Sequence, residues 1–549
     1  VTDFGAAPVE ELEAASSLPE PTTARSLARA GLTVAGVYLV ARVLGYVQLL
    51  VMGSIFGAGD DLDAFFAAFR IPDLIFQLVA AGAIASALVP MIAGLVANGE
   101  NARAWRVAST LANLMVVGLL AFAVVGFIGA PVLVAFIAPG FHGAKLDRTI
   151  DLTRLMLLSP MFLGVSSVAT AALNGTHRFG ASALAPVVYD LAIIGAAVLL
   201  APSLGIASLA IGVVAGALGH LLVQVPALAR IGFRYVPRID LGDPQARRAL
   251  ILMGPRIIGL GVTQITFVVM TALASGLGAG AVSAYTIAFT LMQIPLGVIG
   301  TPLGIVIFPS MARELAIGRT SHYLEILGRS LRILAFVMLP ITTLGMILRF
   351  DVVELLVGYG RFSEAAERLT ADTLLLFLIG LTAHSAIAVL ARAFYARHDT
   401  RTPTVAAVLA VAVNCILAIV LVGTMGLPAI GLAIAVAAWS EALVLLLWLW
   451  RREPTLDVAG IASVVVRCLV AAIAAAVVAN AVRHGLDGLF EQSPALDAWA
   501  EKFQIATVAG AATVAGGLVY LAIAALLRVR ELNTLLAILV DVARRRGTK

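Results

Sequence analysis

Apolar residues arrive along this chain in long blocks, broken by short polar or basic connections. A helix needs roughly 20 such residues to cross a bilayer. Fourteen blocks can be drawn, at residues 29–52, 66–97, 105–138, 153–174, 180–200, 205–228, 249–275, 281–312, 323–348, 369–393, 403–423, 428–450, 458–482 and 503–527. The pattern predicts an all-α polytopic membrane protein, because a backbone immersed in lipid must satisfy its hydrogen bonds internally. Pro72, Pro90, Pro160, Pro295, Pro302, Pro309 and Pro340 fall inside blocks and predict kinks. Residues 1–28 are acidic at first, rich in Pro, Ala and Ser, and without an apolar face, which predicts a disordered tail. The first apolar run starts near Gly31 and lacks the flanks of a cleaved signal, so it is expected to remain as the first transmembrane helix.

The chain is organised around its first hairpin, from Gly31 to Leu95. Two apolar spans flank an acidic turn holding Asp60, Asp61 and Asp63, with Arg42 in the middle of the first span and Pro72 inside the second. An arginine at mid-membrane costs about 2.5–3.5 kcal/mol even on a lenient insertion scale. It persists where it faces a wet cavity or an anionic partner. A cationic internal site is the expectation.

The pattern also repeats. Arg42-Val-Leu-Gly45 in the first span of block 29–228 is matched by Arg256-Ile-Ile-Gly259 in the first span of block 249–452. Ile71-Pro72 is matched by Ile294-Pro295, and the Pro90–Ala93 exit by Pro309–Ala312. The turn after the fourth span (Asn174-Gly-Thr-His177-Arg178) has its counterpart after the tenth (Ala396-Arg397-His398-Asp399). Six spans per repeat is an even number, so the repeats share one orientation about an axis along the membrane normal. The expected organisation is an N-lobe at 29–228, a linker at 229–248, a C-lobe at 249–452, an appended helix pair at 453–528 and a basic tail at 529–549.

Composition agrees with the class: 549 residues, 61% apolar and only 13% charged. The net charge of +5 would suit nucleic acid if it were clustered on one face, but the basic residues are scattered among the connections. Twenty-three lie on the side of the even-numbered connections and both tails, against eight on the other. That bias predicts both termini in the cytoplasm. The two cysteines, Cys415 and Cys468, sit in apolar runs and exclude a disulfide framework or thiolate metal site. No HExxH, no GxxxxGK[ST] and no acidic pair at metal-binding spacing occurs, so neither an enzyme, a cofactor nor a metal is expected.

Arg42 and Arg256, one per lobe, are the candidates for holding an anionic group, since each guanidinium can fork onto phosphate oxygens. Arg70 either reaches the cavity mouth or snorkels outward. Gln48 and Gln293 line the cavity or join helices. Asp63 either caps a helix or closes an outer gate, and Asp73 fills a cap exposed by the Pro72 kink. Asp190 and Glu441 are intramembrane acids, expensive unless paired or protonated, and stand as relay or pairing candidates. His220 and His384 read as core histidines.

Several separated motifs resemble the MurJ (MviN) family of lipid II flippases, within the multidrug/oligosaccharidyl-lipid/polysaccharide exporter superfamily. They are RVLGYVQ from Arg42, DAFFAAFRIPDL from Asp63, NGTHRFGASALAPVVYDLAII from Asn174, QIPLGVIGTPLGIVIFPSMARE from Gln293 and LARAFYARHDTRTPTV from Leu390. The resemblance spans about residues 28–528 and implies transport of undecaprenyl-diphosphate-linked disaccharide-pentapeptide from the inner to the outer leaflet of the bacterial cytoplasmic membrane. It also implies lobes that alternate between two openings, a helix pair lining a groove for the lipid tail, lipid II and membrane lipids as partners, and cell-wall synthesis proteins beside them. Arg42 falls on the family's first-helix arginine and Asp63 on the acid before AFF. Gln48, Phe76, Ala81 and Thr290 stand where family members carry arginine, arginine, glutamate and arginine. Some members bind sodium through acids near the seventh and eleventh helices, but residues 251–275 and 403–423 hold no Asp or Glu here. A transporter of another polyprenyl-linked glycan, a cation-coupled drug exporter and a non-transporting cell-wall scaffold remain alternatives at this point.

Overall fold

The computed structural model describes residues 24–78, 85–492 and 501–533, with side chains throughout except at 24–35, 38, 39, 85–87, 252, 254–260, 262, 263, 491 and 492. Residues 1–23 of the expected tail and residues 534–549 lie outside the described residues. Helix already begins at Ala24, so the tail reaches less far than composition suggested. The described residues contain no strand. Among the described residues, eleven helical stretches are long and apolar enough to cross a membrane, and three shorter apolar ones (Val40–Phe56, Leu88–Ala97, Gln264–Ser275) overlap the remaining three predicted spans.

The first half comprises α1 (Ala24–Phe56), α2 (Asp60–Phe76), α3 (Ala85–Ala97), α4 (Asn101–Ile137), α5 (Gly143–Met156), α6 (Ser159–Gly175), α7 (Phe179–Leu204), α8 (Ala207–Leu222) and the short α9 (Val225–Arg230). The second comprises α10 (Pro244–Ser275), α11 (Ala281–Pro295), a π-helical turn (Leu296–Gly300), α12 (Thr301–Ala316), α13 (Thr320–Ile347), α14 (Arg349–Val357), α15 (Glu364–Ala396), α16 (Arg401–Met425) and α17 (Pro428–Arg452). The final pair is α18 (Val458–Gln492) and α19 (Glu501–Leu526).

Packing repeats as the sequence does. In the first half α1 packs on α7, α7 on α8, α6 on α8, and α4 on α6. In the second, α10 packs on α16, α16 on α17, α15 on α17, and α13 on α15. The two matched turns carry the same backbone device. His177 and His398 both adopt positive φ, 58° and 59°, where a left-handed residue ends a helix. In each turn the following amide reaches back five residues, Arg178 to the Leu173 carbonyl and Asp399 to the Phe394 carbonyl.

Not every proline kinks a helix. Pro160 stands in the first turn of α6, where a missing amide hydrogen is harmless, whereas Pro302 follows the π turn directly within the continuous helical stretch Ala281–Ala316. Pro295 is followed by the π turn, which relocates the hydrogen bond that the proline ring displaces. The linker before α10 lies along α4, with Asn113 Nδ2 donating to the Val236 and Arg238 carbonyls and Arg103 paired to Asp243 at 2.8 Å. Asp243 also caps α10 by accepting from the Gln245 amide. The final pair packs α18 against α13 through Ala471, Ala472 and Ala475, small residues that let membrane helices approach closely.

Candidate functional site

The halves enclose a cavity of about 410 Å³ lined by Arg42, Tyr46, Asp190, Thr290 and Gln293 among others. Helices α1, α7 and α11 bring these groups together, so the cavity is shared between the two halves. The Arg42 guanidinium crosses from α1 to the π turn and lies flat against Gly297, whose imagined Cβ would stand only 3.2 Å from its Cζ. A side chain there would displace the guanidinium. Arg42 is exposed and has no ion pair or hydrogen bond among the described residues. The Asp190 carboxylate lies on the same wall, one oxygen 3.7 Å from the Cβ position of Gly45, almost one turn along α1 from Arg42.

At one end of the molecule the halves are sealed. Asp63, wholly buried, accepts from Gly280 N at 2.7 Å, Ser283 N at 2.8 Å, Ser283 Oγ at 2.7 Å and Lys145 Nζ at 2.8 Å. Three of these donors sit at the start of α11, where unsatisfied amides and the helix dipole favour a carboxylate. Asp63 therefore caps a helix of the other half, while its own helix α2 begins at Gly59 with no side-chain cap. Lys145 also pairs with Asp60 at 2.8 Å, and Arg148 pairs with Asp61.

Main chain meets main chain around that clamp. Arg361 N donates to Ser54 O at 2.8 Å, and a Cβ on Gly280 would stand 2.7 Å from Ala58 O. Gly140 presses on the end of α10, where its amide donates to Ser275 Oγ at 3.0 Å. Gly360, at φ 63°, leaves no room for a Cβ beside Ser54 O.

The remaining candidates lie elsewhere. Arg70 is mostly buried at the junction of halves, 5.2 Å from the Phe267 ring centroid and 4.0 Å from Asp73, and does not line the Arg42 cavity. Gln48 turns to the Met52 sulfur at 3.6 Å. Asp73 lines a separate 270 Å³ cavity in the first half with Tyr189 and His220, and His220 is hydrogen-bonded to Ser166 at 2.6 Å. His384 is buried with Nε2 unpartnered. Glu441 lines neither cavity. Arg256 lies on α10, but its side chain is outside the described residues. Sequence reasoning missed Lys145 and the four glycines of the seal, Gly140, Gly280, Gly360 and Gly57, whose Cβ position lies 2.5 Å from Arg361 O; their spacing carries no signal until the partner backbone is known.

A family model described as "Lipid II flippase MurJ" matches residues 52–491. A "Probable lipid II flippase MurJ" of Rhizobium tropici is 34% identical over 441 residues, covering 78% of this chain and 81% of that protein. A "Lipid II flippase MurJ" of Burkholderia cenocepacia is 31% identical over 437 residues, covering 78% and 84%. Among solved structures, "Lipid II flippase MurJ, inward closed conformation" superposes with a TM-score of 0.75 at 19% identity, covering 90% of this chain and 98% of that one. An inward-facing multidrug resistance MATE family transporter of the MOP superfamily gives 0.64 at 15% identity, covering 78% and 98%. Both structures share the fold.

Proposed function

The chain belongs to the MurJ lipid II flippase family, and from that premise we propose that it moves undecaprenyl-diphosphate-linked peptidoglycan precursor across the bacterial cytoplasmic membrane by alternating access. The basic bias of the even-numbered connections supports termini in the cytoplasm and the Asp63 end facing outward.

The observation that carries the reading is Arg42: a guanidinium without an ionic partner among the described residues, held in a cavity shared by both halves. An anionic diphosphate satisfies it bidentately. Gln293 supplies amide donors from the opposite wall, and Asp190 keeps the cavity from being a purely anionic trap. Headgroup binding would loosen the Asp63 clamp and open the outer end. An inside-negative potential helps expel an anionic headgroup by about 2.3 kcal/mol per charge per 100 mV. The lipid tail stays in the bilayer along α18 and α19.

Complementation of a strain depleted of its own lipid II flippase tests this. Wild type is expected to rescue growth and Arg42→Ala to fail at equal membrane abundance. Failure of the wild-type chain, correctly inserted, would overturn the substrate; rescue by Arg42→Ala would overturn the site.

A further inference from the structure

Six basic residues lie within or at the edges of the apolar blocks, and three of them, Arg329, Arg332 and Arg467, meet in a second cleft with Arg528 and Arg530. This cleft measures about 480 Å³ and shares no lining residue with the Arg42 cavity. Helix spacing explains the convergence. Arg329 and Arg332 are three apart on one face of α13, Arg467 lies in the third turn of α18, and Arg528 and Arg530 follow the last residue of α19.

Little among the described residues answers this charge. Arg332 pairs with Glu531 at 2.9 Å, and Arg467 donates to the Leu527 carbonyl at 3.3 Å. The guanidiniums of Arg329, Arg528 and Arg530 have no partner among the described residues. Glu325 and Asp457 also line the cleft, and Asp457 is engaged by the Gly460 amide at 2.8 Å, so five cations face three carboxylates. Arg528 is held at φ 53°, a left-handed conformation that a long side chain rarely adopts. Glu531 is only 6% exposed; one of its oxygens pairs with Arg332 while Oε2 is buried without a donor. The cleft thus asks for an anion and, beside it, a hydrogen-bond donor.

A membrane lipid supplies both. From Arg467 an exposed apolar stripe runs along α18 through Val466, Val470, Ile473 and Val477 at helical spacing. We propose that this cleft binds the phosphodiester of an anionic bilayer lipid whose headgroup also donates a hydrogen bond, a phosphatidylglycerol-type lipid. The phosphate oxygens accept from Arg329, Arg528 and Arg530, an acyl chain follows the stripe on α18, and a headgroup hydroxyl donates to Glu531 Oε2 once that carboxylate turns its buried oxygen towards the cleft. Inorganic phosphate answers the arginines but neither the stripe nor Glu531. The cleft shares no lining residue with the diphosphate cavity and its charges stand or fall without it; only the stripe lies on a helix that the substrate's tail also follows.

The test is native mass spectrometry of the delipidated full chain in neutral detergent, titrated separately with phosphatidylglycerol, phosphatidylcholine, phosphatidylmethanol and inorganic phosphate. Wild type should retain phosphatidylglycerol over phosphatidylcholine, and Arg329→Ala with Arg530→Ala should weaken it by about tenfold or more, as expected for lost charge-assisted bonds. Both arginines are exposed, so the double variant should fold; an unchanged melting temperature checks this. Phosphatidylmethanol, a phosphodiester without a headgroup donor, should bind more weakly than phosphatidylglycerol. Equal binding by wild type and double variant, or no preference over phosphatidylcholine, overturns the site. Equal binding of phosphatidylmethanol overturns the Glu531 contact, and displacement by millimolar phosphate overturns the lipid identity.

Discussion

One carboxylate oxygen of Asp63 holds both the amide and the hydroxyl of Ser283, at 2.8 and 2.7 Å, across the boundary between the two halves. The other oxygen holds Gly280 N and Lys145 Nζ. Two residues more than two hundred positions apart thereby fix the relative placement of α2 and α11.

Asp63→Ala strips four bonds, leaves two amides of the α11 start without their acceptor, and leaves the half-buried Lys145 with Asp60 alone beside a helix start that repels it. The expected destabilisation of the sealed form is about 3–5 kcal/mol, as for breaking one side of a buried charge pair. Ser283→Ala removes only the hydroxyl bond, at about 1.5–3 kcal/mol for a bond to a charged group. Complementation and cysteine labelling from the outer face at Ala58→Cys read both variants. Labelling should rise most for Asp63→Ala, and labelling at the wild-type level would refute the clamp.

Gly297→Ala places a methyl where the Arg42 guanidinium lies. The displaced atoms are the flexible end of an exposed arginine, so the arginine swings away from the π turn at little cost to stability. Rescue should fall towards that of Arg42→Ala with little change in abundance, measured by growth and membrane immunoblot. Full rescue would show that Arg42 works in another rotamer.

Gly360→Ala combines a positive φ with a blocked Cβ position beside Ser54 O. The conformational term alone is about 1–2 kcal/mol, and the clash adds to it. The seal should open more often, read as faster outer-face labelling at Ser54→Cys. Gly485→Ala, on α18 with nothing near its Cβ position, serves as the control.

Asp399, in the turn between α15 and α16, is held well below the usual carboxylate range by its hydrogen bonds from Thr402 and then by Arg452. A carboxyl depressed in the folded state stabilises above its unfolded value of about 4 and loses that contribution as pH falls towards its folded value. Thermal melts should therefore show stability falling below about pH 4, with part of the fall missing in Asp399→Asn. An identical acid profile in that variant would sink the assignment.

The spans, the repeat and Arg42 were legible because each rests on local pattern: apolar length, a motif at matched positions, and a charge where lipid forbids one. His177 and His398 show how far this reached, since their matched turns share one backbone conformation. Asp63 was legible only as a helix cap or a gate; the structure shows it capping a helix of the other half, because α11 begins beside it in space and far away in sequence. Arg70 and Gln48 went elsewhere for a packing reason. Phe267 and Met52 supply nearer partners than the cavity does. The arginine cleft was illegible for the same cause in reverse, since its members come from α13, α18 and the segment after α19 with no shared motif.

The seal around Gly57, Gly140, Gly280 and Gly360 is built from peptide groups at contact distance. Where backbone touches backbone at these four points, no water fits between the peptide groups, and a file of water is what conducts protons. A carrier that must pass a bulky sugar-peptide can in this way remain electrically tight between turnovers, sparing the membrane potential.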